Sequence, residues 1–280
     1  MISVISIKNF EFITHLGYFS REIRAKRPSG VKILTSLYSL FSVTIFLILC
    51  VFFVPIMLLL CQKKSWHPLA LRLHTTWARS LLFLACIPVR IEWKYKPDKQ
   101  QQYIFCANHF SYLDIPSLFL IGQAKFIGKS SMNKIPLFGY FYRKTHITVN
   151  RSSPRSRAES LKKAREATEE GFNLAFFPEG GVKVKEKDIP QMVPFMDGAF
   201  ILSAEKNIPI LPVTLATNYQ ILPDRSPIRL YRHICRMIVH PPELSTGSTD
   251  ECVKNLKDRV FEVIQSELNA HHQEKVLPVQ

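Results

Sequence analysis

The sequence predicts an α/β fold, a largely parallel sheet flanked by helices and preceded by an N-terminal hydrophobic, membrane-anchoring helical segment. Three observations lead there. Residues 33–62 hold no charged side chain. From residue 89 the apolar period switches to two. Beyond it, short apolar runs alternate with helical stretches, the βα rhythm of a parallel sheet. The expected division is a membrane-associated helical region over 1–88 and an α/β domain over 89–280.

Each element has its own signal. Residues 45–60 are apolar throughout, and at ~1.5 Å per residue the uncharged stretch exceeds the ~30 Å of a hydrocarbon core. Pro55 and the hydroxyls of Ser36, Tyr38, Ser39, Ser42 and Thr44 leave both a spanning and a re-entrant helix open. A cleaved signal peptide is disfavoured, because 32 residues precede the stretch and no small-residue cleavage pattern follows it. Basic residues flank both ends, so charge does not orient it. Leu69, Leu73, Trp77, Leu81 and Leu84 then recur at helical spacing, with Arg72 and Arg79 elsewhere, a pattern suited equally to a membrane interface and to a core-facing helix. Val89, Ile91, Trp93 and Tyr95 alternate with polar residues as in a half-buried strand. Buried strands are expected at 103–107, 146–150, 173–177 and 209–215, and helices near 112–121, 155–170, 196–206 and 250–270. A late alternating strand is expected near 228–239. Ser153 and Pro154 open the second of these helices and Gly171 closes it.

The formal charge is +15, yet 47% of the residues are hydrophobic and 20 are Phe, which excludes a disordered basic tail. The six Cys form no CxxC pair and fit neither a zinc ribbon nor a disulfide framework, so a reducing, cytosol-facing setting is expected. Residues 125–165 contain 11 basic side chains against the single Glu159, whereas residues 166–280 contain 12 basic and 16 acidic. Such a block repels itself unless an anion neutralises it, which points to a phosphate or an anionic surface more than to a merely solvated face.

Reactive groups in open α/β sheets collect where strands end and helices begin. Three exits carry unusual residues. In NHFSYLD (108–114), His109 in the turn and Asp114 in the first helical turn could meet, the carboxylate fixing one ring nitrogen and leaving the other as a general base. Taken alone, His109 would more simply be a capping or satisfied core histidine. Arg151 ends the strand at 146–150 within the basic block, where a guanidinium fork suits a phosphate and a surface role is the competitor. In FPEGG (177–181) a carboxylate, Glu179, sits between the rigid Pro178 and two glycines, a tight turn that lets a ligand approach Gly180 closely, or else an ordinary turn. A P-loop fails on spacing between Gly122 and Gly128, no GxSxG elbow occurs, and no HExxH pair occurs, so no metal is expected.

In order, these exits resemble the four sequence blocks of the glycerolipid acyltransferase family, specifically the 1-acyl-glycerol-3-phosphate acyltransferases. NHFSYLD is similar to the NHxSxxD block, the strand ending at Arg151 to the second, FPEGG to the FPEGT block, and IPILPVTL (208–215) with Pro212 to the fourth. The resemblance covers about residues 80–240. It implies that His109 is the base and Asp114 its partner, that Arg151 with Lys129 and neighbouring cations holds the acceptor's phosphate, and that Glu179 with Gly180 positions the glycerol backbone. There are departures: Thr148 and Asn150 replace a usual Phe and acidic residue, Gly181, Val182 and Lys183 follow the third block, and Met196 stands where Lys is frequent. Lys183 or Lys185 can stand in for a missing arginine.

The resulting expectation is a membrane-bound acyltransferase of phospholipid biosynthesis, its site facing the cytoplasm, that moves a fatty acyl group from acyl-CoA or acyl-carrier protein to 1-acyl-glycerol-3-phosphate. Its partners are the membrane lipid, a lysophospholipid acceptor and the acyl donor, with no nucleic acid and no cofactor. The oxyanion donors are expected among backbone amides near one of these turns. A lyso-aminolipid acceptor is the alternative within enzymes, and a membrane-anchored polyanion-binding protein the alternative outside them.

Overall fold

A computed structural model describes residues 29–135 and 137–274. Residues 1–28, the first part of the expected membrane-associated region, lie outside the described residues. The uncharged stretch forms helix α1, Ser29–Leu60, which continues through Pro55. At ~1.5 Å per residue its 32 residues span about 48 Å. Over Lys32–Leu60 its mean hydropathy reaches 3.1 with only 17% of the most apolar window buried, and among the described residues it is the one helix long and apolar enough to cross a membrane. Its far end packs Met57, Leu60 and Cys61 against Ala70, Phe141 and Tyr142.

Helix α2, His67–Leu84, follows with Pro68 in its first turn. It buries His67, Ala70, Leu71, His74, Ala78, Leu81 and Leu82, while Leu69 and Leu84 of the leucine stripe are exposed. The buried face is thus the one with small residues. Ala70 and Ala78 let the helix backbone approach the domain closely, and Ala78 and Leu82 join the core that contains Tyr103, Phe105 and Met237. The core-facing alternative describes this face of the helix.

Seven strands form one sheet: β1 Val89–Trp93, β2 Ile104–Ala107, β3 Lys125–Lys129, β4 Ile147–Val149, β5 Leu174–Phe176, β6 Ile210–Leu215 and β7 Cys235–Val239. Their order is β1-β7-β6-β2-β5-β3-β4. Every pairing is parallel except β6 with β7. Strands β6, β2, β5, β3 and β4 therefore all end at the same edge. The helices are α3 Asp114–Leu118, α4 Phe138–Thr145, α5 Pro154–Glu169, α6 Gly198–Lys206, α7 Asn218–Ile221 and α8 Asp250–Glu274. The Ser153 hydroxyl caps α5 by accepting the Ser156 N–H, with Pro154 in the first turn, and Gly171 follows at φ +81°.

Alternate residues of β2 serve two cores. Phe105 and Ala107 face α2 and α3. Ile104 and Cys106 face the side covered by Ala164 of α5, Phe200 of α6 and Val260 of α8. Burial on both faces is why β2 and β6 read as continuous apolar runs, each such side chain stabilising the fold by roughly 1.5–3 kcal/mol. Elsewhere the boundaries differ from expectation. The helix near 112–121 is only Asp114–Leu118, with Pro116 inside it. The late strand is only Cys235–Val239, since Ile228 and Ile234 before it are exposed and belong to a loop. Strand β3 and helix α4 were not expected.

Candidate active site

The exit of β2 is built by side chains that replace the ladder. The Asn108 amide continues the pairing with β6, its Nδ2 donating to Leu215 O at 3.1 Å and its Oδ1 accepting the Leu215 N–H at 2.7 Å. This frees the next residues to turn. The His109 Nδ1 then lies 3.0 Å from Asp114 Oδ2. The same oxygen accepts the main-chain N–H groups of Phe110 (2.9 Å) and Ser111 (2.8 Å), and Oδ1 accepts Asn218 Nδ2 at 2.9 Å. Four donors on one buried carboxylate define an acceptor, so the His109 Nδ1 carries a proton toward it and Nε2 keeps a free lone pair. The imidazole stacks on Phe177, with centroids 4.0 Å apart and planes 16° from parallel, which fixes the ring.

Asn218 escapes a reading of the sequence. It stands 104 residues from Asp114, on the short α7 after β6, and no local spacing connects the two. Only the closure of β2 against β6 brings it there.

The third exit underlies the first. Glu179 is fully buried, and its carboxylate accepts the His109 N–H at 2.7 Å and the Val193 N–H at 3.2 Å. Burial pushes its pKa up to about 7, against the lowering by those two hydrogen bonds. Expected to position a bound molecule, Glu179 is instead turned inward to main-chain donors; it holds the His109 turn from below. Pro178, also buried, accepts the Met196 N–H at 2.9 Å. Gly180 (φ +85°) and Gly181 (φ +135°) occupy backbone regions that L side chains rarely adopt. A side chain at 180 would also meet Met196 Cε at 2.8 Å and Lys183 Nζ at 3.0 Å. Lys183 and Met196, two of the departures noted above, therefore both stand over Gly180.

Arg151 lies in the turn after β4 and reaches back, its Nη1 only 3.6 Å from where a Cβ on Gly181 would be. Partial burial lowers its pKa from the usual arginine range, opposed by the nearby Tyr142. Lys129, at the end of β3 in register with Val149, is exposed. The four exits therefore fall in a row: His109, then Glu179 and Gly180, then Lys129, then Arg151. The main-chain N–H groups of 109, 110, 111 and 180 already have acceptors, which removes them as oxyanion donors in this arrangement. Beside Phe110 a cleft of about 200 Å³ is lined by Lys183, Lys185, Tyr219 and Asp224. Among the described residues no cluster of three or more His, Cys, Asp or Glu side chains is placed to hold a metal ion.

Residues 89–216, the span containing all four exits, match the family described as Acyltransferase. Over these residues the chain is similar to the acyltransferase family. Among its acyltransferase relatives, the chloroplastic 1-acyl-sn-glycerol-3-phosphate acyltransferase BAT2 of Brassica napus is 34% identical over 148 residues, 52% of this chain and 42% of that one. A 1-acyl-sn-glycerol-3-phosphate acyltransferase of Chlamydomonas reinhardtii is 31% identical over 174 residues, 61% of this chain and 51% of that one. The chain thus spans about half or less of the length of these curated relatives. The fold is shared with the crystal structure of PlsC, the 1-acyl-sn-glycerophosphate acyltransferase of Thermotoga maritima, at a TM-score of 0.69 and 20% identity, covering 89% of this chain and 99% of PlsC.

Proposed function

We propose that this chain transfers a fatty acyl group from acyl-CoA or acyl-carrier protein to the free hydroxyl of 1-acyl-glycerol-3-phosphate, giving phosphatidic acid, at a membrane surface reached by α1. The observation that carries this reading is the His109–Asp114 contact of 3.0 Å at a strand exit, with Arg151 reaching toward the adjacent exit. The relatives' names and the family match support it.

In this mechanism His109 Nε2 takes the proton from the acceptor hydroxyl as its oxygen forms a bond to the thioester carbonyl carbon. The carbon–sulfur bond then breaks, and the proton on His109 passes to the departing thiolate. Asp114 keeps the imidazole in the required tautomer and stabilises its charged form. Arg151, with Lys183 and Lys129 nearby on adjacent exits, holds the acceptor's phosphate. Since the acceptor oxygen itself attacks the thioester and His109 transfers only a proton, no enzyme nucleophile is required. The apolar face of α1 keeps the acceptor's membrane within reach, and the exposed cations meet its surface.

The reading is tested with purified protein and with washed membranes supplied with lysophosphatidate and each donor. His109→Ala should lower kcat by roughly 10²- to 10⁴-fold. Arg151→Ala should raise the acceptor KM far more than the donor KM. Undiminished transfer by the His109 variant would sink the mechanism, and equal changes in both KM values would remove the phosphate from Arg151.

A further inference from the structure

A second concentration of positive charge lies at the opposite end of α1 from α2. The Tyr231 N–H donates to Ile221 O at 2.8 Å and closes residues 221–231 into a loop. That loop is pinned to α1, where the Ser39 hydroxyl accepts the Leu230 N–H at 2.9 Å. Between them opens a cleft of about 260 Å³ whose walls include Lys32, Arg225, Ser226, Arg229 and Tyr231. Arg225 lies against the Tyr231 ring, 5.2 Å from its centroid, and hydrogen-bonds its hydroxyl. Its carboxylate neighbour Glu186 is 3.9 Å away, a loose contact between half-exposed groups.

Among the described residues three cations line this cleft, with Glu186 beside Arg225, an arrangement that an anion would relieve. Its position specifies which anion. Lys32 opens the apolar span of α1, so the cleft stands where a hydrocarbon core gives way to headgroups. Ile228 on the loop is 68% exposed, as are Ile33, Leu34 and Leu37 on the helix to similar degrees, an apolar surface that continues directly from the cations. Guanidinium forks suit a phosphate held beside such a surface.

We propose that the Lys32–Arg225–Arg229 cleft binds the phosphate of an anionic phospholipid in the leaflet that surrounds this end of α1. The inference rests on the membrane attachment read above and not on acyl transfer. The acyl chains would lie along the exposed face of α1. Pro223 and Asp224, at the start of the same loop, line the cleft beside Phe110, and the Ser111 hydroxyl donates to Leu222 O at 2.7 Å. A bound headgroup would therefore steady the loop that walls the candidate site.

The test uses the full chain, delipidated in detergent, with phosphatidylglycerol or phosphatidylcholine added back and retained lipid read by native mass spectrometry. Wild-type protein should retain phosphatidylglycerol preferentially. Replacing both Arg225 and Arg229 by Ala should lower that preference about tenfold or more. Replacing both by Lys should preserve most of it, and an unchanged Tm in both variants excludes misfolding. Retention of the full preference by the Ala pair, equal retention of the two lipids by wild type, or complete displacement of lipid by millimolar inorganic phosphate would each overturn the proposal. Loss of acyl transfer with the lipid preference intact would sink the reaction proposed above and leave this site standing.

Discussion

Asn218 determines how Asp114 serves His109. Its amide donates to the one carboxylate oxygen that neither the imidazole nor the Phe110 and Ser111 amides use, and the pair is fully enclosed. Removing it would leave a buried carboxylate oxygen unsatisfied, a loss of about 1.5–3 kcal/mol for a hydrogen bond to a charged group. Asn218→Ala should lower kcat by about 10- to 100-fold with the acceptor KM nearly unchanged. Asn218→Asp separates orientation from simple structural damage. Beside Asp114 the new carboxyl would hold its proton to unusually high pH, and while protonated it still donates as the amide did. Its kcat should fall as pH rises through that raised pKa, in a range where wild-type kcat does not fall. A pH-independent loss would assign Asn218 a structural role only.

At the scale of elements, β3 and α4 fit because Gly128 has no side chain. A Cβ there would come within 1.9 Å of the Tyr142 hydroxyl. Gly128→Ala should therefore destabilise the protein by about 1–3 kcal/mol, measured in denaturant, by pushing Tyr142 away from Arg151. The acceptor KM should rise as well. The same elements show where the sequence was legible. Strands β2 and β6 are covered on both faces, so their burial is written as unbroken apolar runs. Strand β3, KFIGK, carries charged ends and a glycine. What makes Lys125 a buried strand residue is tertiary: its ammonium lies 3.1 Å from Glu170 and 3.7 Å from the Phe172 ring centroid. In α2 the leucines suggested one stripe, but the buried face sets Ala70, Ala78, His67 and His74 among Leu71, Leu81 and Leu82, because contact area there depends on close backbone approach. His109 and Asp114 were readable because both lie in one turn, and Arg151 because it ends a strand within a basic block. Glu179 was noticed for its turn, but its inward direction depends on the loop at Val193.

For the whole molecule, buried titratable groups of opposite sign shape stability against pH. Burial lowers His74 and His240 to about 4, and His146 well below its ordinary 6.5. Between about pH 4 and 6.5 the unfolded chain binds more protons at these histidines, so their effect is a stability that rises with pH. Glu179 acts in the other direction. Its folded pKa of about 7 exceeds the ordinary 4.5, so its contribution falls as pH rises between these values. Three histidines outweigh one glutamate across this range, because each unfolded-chain imidazole is still half-protonated at pH 6.5. The Tm of the wild-type protein should therefore rise from about pH 4 and level off between about pH 7 and 8, and Glu179→Gln should steepen the rise between about pH 4.5 and 7; an identical rise in the variant would reject this origin. The row of strand exits has a separate consequence, one of length. Strands in a sheet lie about 4.8 Å apart, so the exits of β2 and β4, three intervals away in the order β2-β5-β3-β4, are separated by roughly 14 Å. Arg151 spends its reach in crossing back over Gly181, which places its charge beside the β5 exit, about one interval from that of β2. The two glycines keep that corridor open, and under the proposed reaction the site would act as a gauge that admits acceptors whose anion and reacting hydroxyl are a few bonds apart.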